Sequence, residues 1–357
     1  MPPETRTKSE TPADSASSRR SRASGRVTLS DVAQAAGVSP MTVSRALRGE
    51  RRVAAALVDK VREVAASLGY VPDLAARALA SQKSTQVLVL VPMLSNTLFV
   101  EVLEAVHKVL FAQGYHMLIG VTHYDPAEEE QLLRAYLPMR PAGLLLTGFD
   151  HSEESQKLLA ANPVPRVHLM ELREPGTGPD CYSVGFSQIA AGAEMTRHLL
   201  DKGYRRIAFC GAQLDARVMQ RLEGYRQVLK QAGLYDQSLE ILNPERSSLA
   251  LGARQFETLL KAQTTVDAIF FCNDDIAQGA LLEANRMGVK VPQQVAIAGF
   301  NDLPGSDQMV PPLTTIHTPR DEVGSKAASM LLQLLAGDAV REVSVDLGFR
   351  LVPRAST

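Results

Sequence analysis

Residues 27–49 read VTLSDVAQAAGVSPMTVSRALRG, and the order of caps, turns and apolar positions in this stretch decides the fold of the N-terminal region. Thr28 followed three residues later by Asp31 is a capping-box pattern at a helix start. Val32, Ala33 and Ala36 form the apolar stripe of that helix, and Gly37 supplies the left-handed residue for a tight turn. Ser39 caps a second helix, with Pro40 at its first position, where no N–H is missed. Val43, Ala46 and Leu47 recur at helical spacing and face inward, which leaves Met41, Thr42, Ser44 and Arg45 facing outward. A third helix carries Leu57, Val61, Val64, Ala65 and Leu68 on one face and ends at Gly69. Three short helices around one small core, with a polar second helix, imply an all-α helix-turn-helix headpiece that reads the major groove of double-stranded DNA. A protein-binding bundle is the rival, but it has no need of cap, turn, cap and outward arginine in that order.

The charge distribution agrees. The 357-residue chain has a formal net charge of −1, yet residues 1–85 hold 14 Lys/Arg against 8 Asp/Glu, or +6, which leaves −7 for the remainder. A basic front end on an acidic body suits a polyanionic partner. Residues 1–26 are rich in Ser, Thr, Ala, Pro and Arg with almost no large apolar side chains, a composition that predicts a disordered tail. No run of 18 apolar residues predicts a membrane span, and the basic N-terminus lacks the apolar core of a secretory signal, so a cytoplasmic protein is expected. Cys181, Cys210 and Cys272 stand far apart without C-x-x-C spacing, and the seven histidines show no ligand spacing. No metal is expected, and the cysteines read as reduced core residues.

From Gln86 onward the pattern changes. The apolar runs VLVLV, MLIGV, GLLLT, IAFC, AIFFC and VAIAGF alternate with amphipathic stretches, the signature of parallel sheet covered on both faces. Gly114, Gly203, Gly233 and Gly288 close helices just before the next strand or its lead-in. About nine such units exceed one ordinary sheet, so two doubly wound subdomains are expected. Neither G-x-G-x-x-G after a strand nor G-x-x-x-x-G-K-[ST] occurs, so no nucleotide cofactor is expected.

TLSDVAQAAGVSPMTVSRAL, followed by VREVAASLGYVPDLAARALAS, closely resembles the headpiece and hinge of the lactose-repressor/galactose-repressor family, and the resemblance spans nearly all of the chain after residue 26. It implies a headpiece over 27–71, a hinge helix within 72–85, an effector-binding and dimerisation core over 86–351 built like a periplasmic sugar-binding protein, and a short tail over 352–357. Crossings between the two core subdomains would fall near 184–187, 301–304 and 319–325. Pro40, Met41 and Arg45 would read bases, Ser39, Thr42 and Ser44 would hold phosphates, and Thr28 would belong to the same DNA-binding surface. Leu79 would wedge into the minor groove of a palindromic operator. Asp73 departs from the family's usual Asn. The chain stops at LGFRLVPRAST without a leucine-heptad tail, so a homodimer is implied.

Ligand sites in such folds lie beyond the C-terminal ends of strands. The residues there that match family contacts, or share their loops, are Phe99, Asp215, Arg217, Arg221, Asn273, Asn301 and Arg320. Asn301 stands where neutral-sugar sensors usually carry Asp. Two or three arginines together with that Asn favour an anionic polyhydroxy effector, because a guanidinium fork matches a carboxylate. GAQLDARV, FCNDDIAQGA and VAIAGFND resemble the gluconate-repressor subgroup and its ketogluconate-sensing relatives. Gluconate, 2-ketogluconate or a phosphorylated form is therefore the expected effector, with a neutral sugar or a purine as the alternative. A sugar-acid enzyme is the distant rival. It would need a carboxylate pair or a Schiff-base lysine at the strand ends, and neither is evident there.

Overall fold

The computed structural model describes residues 27–47, 53–71, 84–95, 97–173, 181–262 and 265–357. They fall into two units, one within Met1–Gln82 and one within Lys83–Thr357. The expected tail over 1–26 and the hinge segment with Asp73 and Leu79 lie outside the described residues.

The smaller unit holds three helices: α1 (Leu29–Ala36), α2 (Pro40–Leu47) and α3 (Ala55–Ser67). The capping box is complete, since Asp31 accepts from the Thr28 backbone N–H at 2.7 Å and the Thr28 hydroxyl accepts from the Asp31 N–H at 3.3 Å. Gly37 sits at φ +70°, a conformation that costs a Cβ-bearing residue roughly 1–2 kcal/mol, and so reverses the chain into α2. Val32, Ala33, Ala36, Val43, Ala46, Val61 and Ala65 form the core. Leu68 is the exception to the expected α3 face. The helix stops at Ser67, leaving Leu68 38% exposed, and the turn at Gly69 brings Tyr70 back against the core instead.

The larger unit is α/β. In chain order it runs β1 (Gln86–Val91), α4 (Thr97–Ala112), β2 (His116–Val121), α5 (Pro126–Tyr136), β3 (Gly143–Thr147), α6 (Glu153–Ala161), β4 (Arg166–Leu169) and β5 (Tyr182–Gly185). It continues through α7 (Gln188–Asp201), β6 (Ile207–Ala212), α8 (Ala216–Gln231), β7 (Glu240–Asn243), α9 (Leu249–Lys261), β8 (Ala268–Phe271), α10 (Asp274–Met287) and β9 (Ala296–Ala298). It closes with β10 (Thr315–His317), α11 (Arg320–Ala336), β11 (Ser344–Asp346) and β12 (Arg350–Val352). Two parallel sheets result, ordered β11-β5-β4-β3-β1-β2 and β7-β6-β8-β9, with β10 and β12 paired antiparallel beside the second. The fully buried runs Val87–Val91 and Ala268–Phe271 show why these strands read as continuous apolar segments.

The chain passes between the subdomains three times. It leaves the first sheet after Gly185 and enters α7, which packs on α8. It returns between His317 and Arg320, because α11 packs on α4 and on β3 to β5. It crosses last through Leu347, Gly348 and Phe349, where β11 still pairs with β5 but β12 already pairs with β10. The crossing expected near 301–304 does not exist. Those residues stay in the second subdomain, where Asn301 bridges to His317 and the Leu303 N–H donates to buried Asp274 at 2.7 Å. The expected terminal tail is likewise part of the fold. The Ser356 hydroxyl donates to the Ile297 carbonyl at 2.6 Å and accepts from the Thr314 N–H at 2.8 Å, filling backbone positions that no neighbouring strand supplies.

Candidate functional site

On the smaller unit, α2 presents its polar face outward. Met41 is 59% exposed, Ser39, Pro40 and Arg45 are exposed, and Thr42 and Ser44 are half-buried. The Ser39 hydroxyl accepts from the Thr42 N–H at 3.2 Å and lies 2.9 Å from the Thr42 hydroxyl, so the helix N-terminus is capped by the residues expected to lie at phosphates. The Thr28 hydroxyl donates to Asp31 at 2.8 Å, which commits it to the capping box. No acidic side chain lies in the first turn of α2, so the positive end of its dipole is uncancelled there.

In the larger unit a cavity of about 180 Å³ opens at the C-terminal ends of strands from both subdomains. Five carboxylates line it: Asp125, Glu129, Asp150 and Glu171 from the first subdomain and Asp215 from the second. The expectation that no carboxylate pair marks these strand ends is thus corrected. The same strand-end rule could have found Asp125, which follows the MLIGV run. Glu171 was hidden because RVHL carries a charged and a polar residue and does not read as a strand. His168 is tolerated inside β4 because its Nδ1 meets the Gly148 carbonyl at 2.8 Å, and burial holds its pKa down to about 4.

Arg217 and Arg221 lie one helical turn apart on α8, and their surroundings differ in kind. Arg217 lines the cavity, with Asp215 at 3.3 Å and, across the cleft, Glu171 at 3.5 Å. Burial alone disfavours its charge, but Asp215, Tyr124 and Glu171 outweigh burial and hold its pKa above the usual range. Burial raises Glu171, with Arg217 opposing. Arg221 is 4% exposed, and its hydrogen-bond acceptors are all uncharged: Gln188 Oε1 at 2.8 Å, the Cys272 carbonyl at 2.7 Å and Asn273 Oδ1 at 2.8 Å. Its guanidinium carbon stands 3.9 Å from the Phe300 ring centroid. Burial lowers its pKa, with Asp215 opposing.

The Arg221 donor orients its neighbours. Because Asn273 Oδ1 must accept from Arg221, it also accepts from Asn301 Nδ2 at 3.2 Å. That leaves Asn301 Oδ1 buried with no partner, in a residue only 1% exposed and held at φ 108°. Asn301 therefore offers an acceptor rather than the donor expected to face a carboxylate. An orphaned buried acceptor costs about 1–3 kcal/mol, a penalty that a bound hydroxyl would remove.

The other expected residues behave differently. Phe99, in the first turn of α4, is buried in the core, outside the lining of the cavity. Arg320 is a bracket between subdomains: Nε meets Glu101 on α4 at 2.7 Å, Nη1 donates to the Asn301 carbonyl, and Nη2 donates to the Asp302 carbonyl at 3.3 Å.

Residues 28–73 match the model of the lacI family of bacterial regulatory proteins, and residues 196–357 match a periplasmic binding protein-like domain. The chain is 55% identical over 339 residues to the HTH-type transcriptional regulator GntR of Pseudomonas aeruginosa, covering 95% of this chain and 98% of that one. It belongs to the LacI family. Two solved structures of this family context agree with the fold. The transcription regulator GntR of Chromobacterium violaceum is 49% identical, with a TM-score of 0.73 over 76% of this chain and 98% of that one. The lac repressor dimer bound to operator and the anti-inducer ONPF is 25% identical, with a TM-score of 0.79 over 93% and 99%. This LacI-family chain is thus a DNA-binding transcriptional regulator and not an enzyme. No helix among the described residues is long and apolar enough to cross a membrane.

Proposed function

We propose that this regulator represses genes of sugar-acid catabolism, binding a palindromic operator as a homodimer and leaving it when gluconate, 2-ketogluconate or a phosphorylated form enters the cleft. Arg221 carries the effector half of this reading. This buried guanidinium lies one helical turn from Arg217, behind the cavity lining; its described acceptors are all neutral, whereas Arg217 and Arg320 each contact a carboxylate, and it can take a carboxylate without displacing one. The relatives named GntR support the same subgroup. For the dimer, exposed Val100, Phe111 and Ile119 supply apolar surface to be covered on the first subdomain.

Calorimetry of the full chain with gluconate and with a neutral polyol of equal length tests the effector. Arg221→Gln should weaken gluconate by roughly 100-fold, on the order of 3 kcal/mol for a lost charge-assisted contact, and should change the polyol far less. A neutral sugar that binds wild type as tightly as the acid would overturn the sugar-acid reading. That second reading has its own support, since Asn301 Oδ1 and the carboxylate wall both suit hydroxyl donors.

The DNA half predicts that Arg45→Ala costs about 1–3 kcal/mol on operator and much less on random DNA. Fluorescence anisotropy at one salt concentration reads both. Equal losses would make Arg45 a phosphate contact.

A further inference from the structure

We propose that Glu171 restricts this cleft to ligands charged at one end only. The inference rests on the sugar-acid reading above and adds the ligand's orientation.

Glu171 is held in place by local structure. Met170 before it adopts φ +71°, a left-handed conformation that a non-glycine residue keeps only when its surroundings demand it. Gln188 supplies part of that demand, donating to the Met170 carbonyl at 3.1 Å while its Oε1 accepts from Arg221. Two glycines make room. A Cβ at Gly185 would stand 2.4 Å from the Glu171 backbone nitrogen, and one at Gly148 would stand 2.6 Å from Glu171 Oε1. The side chain is thus aimed into the cavity from a backbone that has little freedom to move it.

Once there, its carboxylate is only loosely engaged. Arg217 Nη1 and Gln220 Nε2 each approach no closer than 3.5 Å, at the outer limit of hydrogen bonding. Lone pairs remain for a donor, and a ligand hydroxyl is one. Around it the same subdomain contributes Asp125, Glu129 and Asp150 to the lining, whereas Arg217, the one arginine in the lining, is already matched by Asp215. A hydroxyl chain is welcome at this end, but an anionic group meets carboxylates in a medium that screens poorly. Arg221, one turn further along α8, takes the single negative charge. The ligand therefore lies with its acid toward Arg221 and its hydroxyl tail toward Glu171.

Calorimetry on the full chain at fixed pH and salt tests this with two probes: gluconate, with one acid group, and glucarate, with an acid at each end. Wild type should prefer gluconate. Glu171→Gln should narrow that preference by about tenfold, because glucarate loses a carboxylate–carboxylate repulsion while gluconate loses a charged acceptor for its hydroxyl tail. An unchanged ratio, or parallel weakening of both acids, would overturn the proposal and leave Glu171 a structural residue. Asp150→Asn, at an exposed position on the same wall, should narrow the ratio in the same direction, and it reads the answer if Glu171→Gln does not fold. If wild type binds neither acid but binds a neutral hexose, the sugar-acid reading has failed, and the charge discrimination proposed for Glu171 fails with it. That pattern is distinct from binding both acids with an unaltered ratio.

Discussion

Gly279→Ala should destabilise the larger unit by about 3 kcal/mol, lowering its melting temperature by roughly 6–12 °C for a domain of this size. In an ordinary helix interior the same change stabilises by about 0.5–1 kcal/mol, because glycine loses the most backbone entropy on folding. Here the sign reverses. A Cβ at Gly279 on α10 would stand 2.0 Å from the Leu249 carbonyl oxygen, and one at Gly252 on α9 would stand 1.9 Å from the Ile276 carbonyl oxygen. Both obstacles are backbone, so neither can rotate away, and the two helices must part by more than an ångström. Their N-termini adjoin the Arg221 network proposed to hold the effector: Ser247, just before α9, accepts from Asn273 Nδ2 at 3.3 Å, and Asn273, at the N-cap position of α10, accepts from Asn301 Nδ2 at 3.2 Å. Effector binding should therefore weaken together with stability. Thermal melts and calorimetry on the same sample check both. A loss below about 1 kcal/mol would show that α9 and α10 are not in backbone contact.

Arg320→Ala should cost a similar amount, about 2–4 kcal/mol, by a different route. The guanidinium is 7% exposed and satisfies the carbonyls of Asn301 and Asp302, two consecutive non-glycine residues at φ 108° and 54°. Without it those carbonyls lose a charged donor, and the loop loses what holds it in an unfavourable conformation. Glu101, 37% exposed at the side chain, can return to water, so the cost stays below that of a fully buried ion pair. Because Asn301 turns with the loop, effector affinity should fall together with stability. Arg320→Lys keeps the charge but cannot span Glu101 and two carbonyls with one planar fork, and should recover only part of the loss. Full recovery by lysine in both stability and affinity would show that charge alone, and not the bracket, matters.

Much of the molecule could be read from local pattern. The headpiece helices, their caps and the left-handed turn at Gly37 follow from contacts within four residues, which a linear sequence displays directly. Continuous apolar runs likewise announced the central parallel strands, because a strand buried on both faces needs no polar residue. The strands missed were short or polar ones such as β4, whose His168 is paid for by a carbonyl 20 residues away. Strand-end position placed Asp215 and Arg217 in the cavity and Arg221, Asn273 and Asn301 in one network. What position could not do was assign their roles. Whether an arginine is compensated depends on which acids the fold brings to it, and Arg217, Arg221 and Arg320 read alike as letters. Only the tertiary fold set Glu171 against Arg217 and Glu101 against Arg320 across the two subdomains, and surrounded Arg221 with neutral acceptors inside the second. Those partners come from segments 33 to 219 residues distant, or from carbonyls that every residue carries, and electrostatics acts through space rather than along the chain.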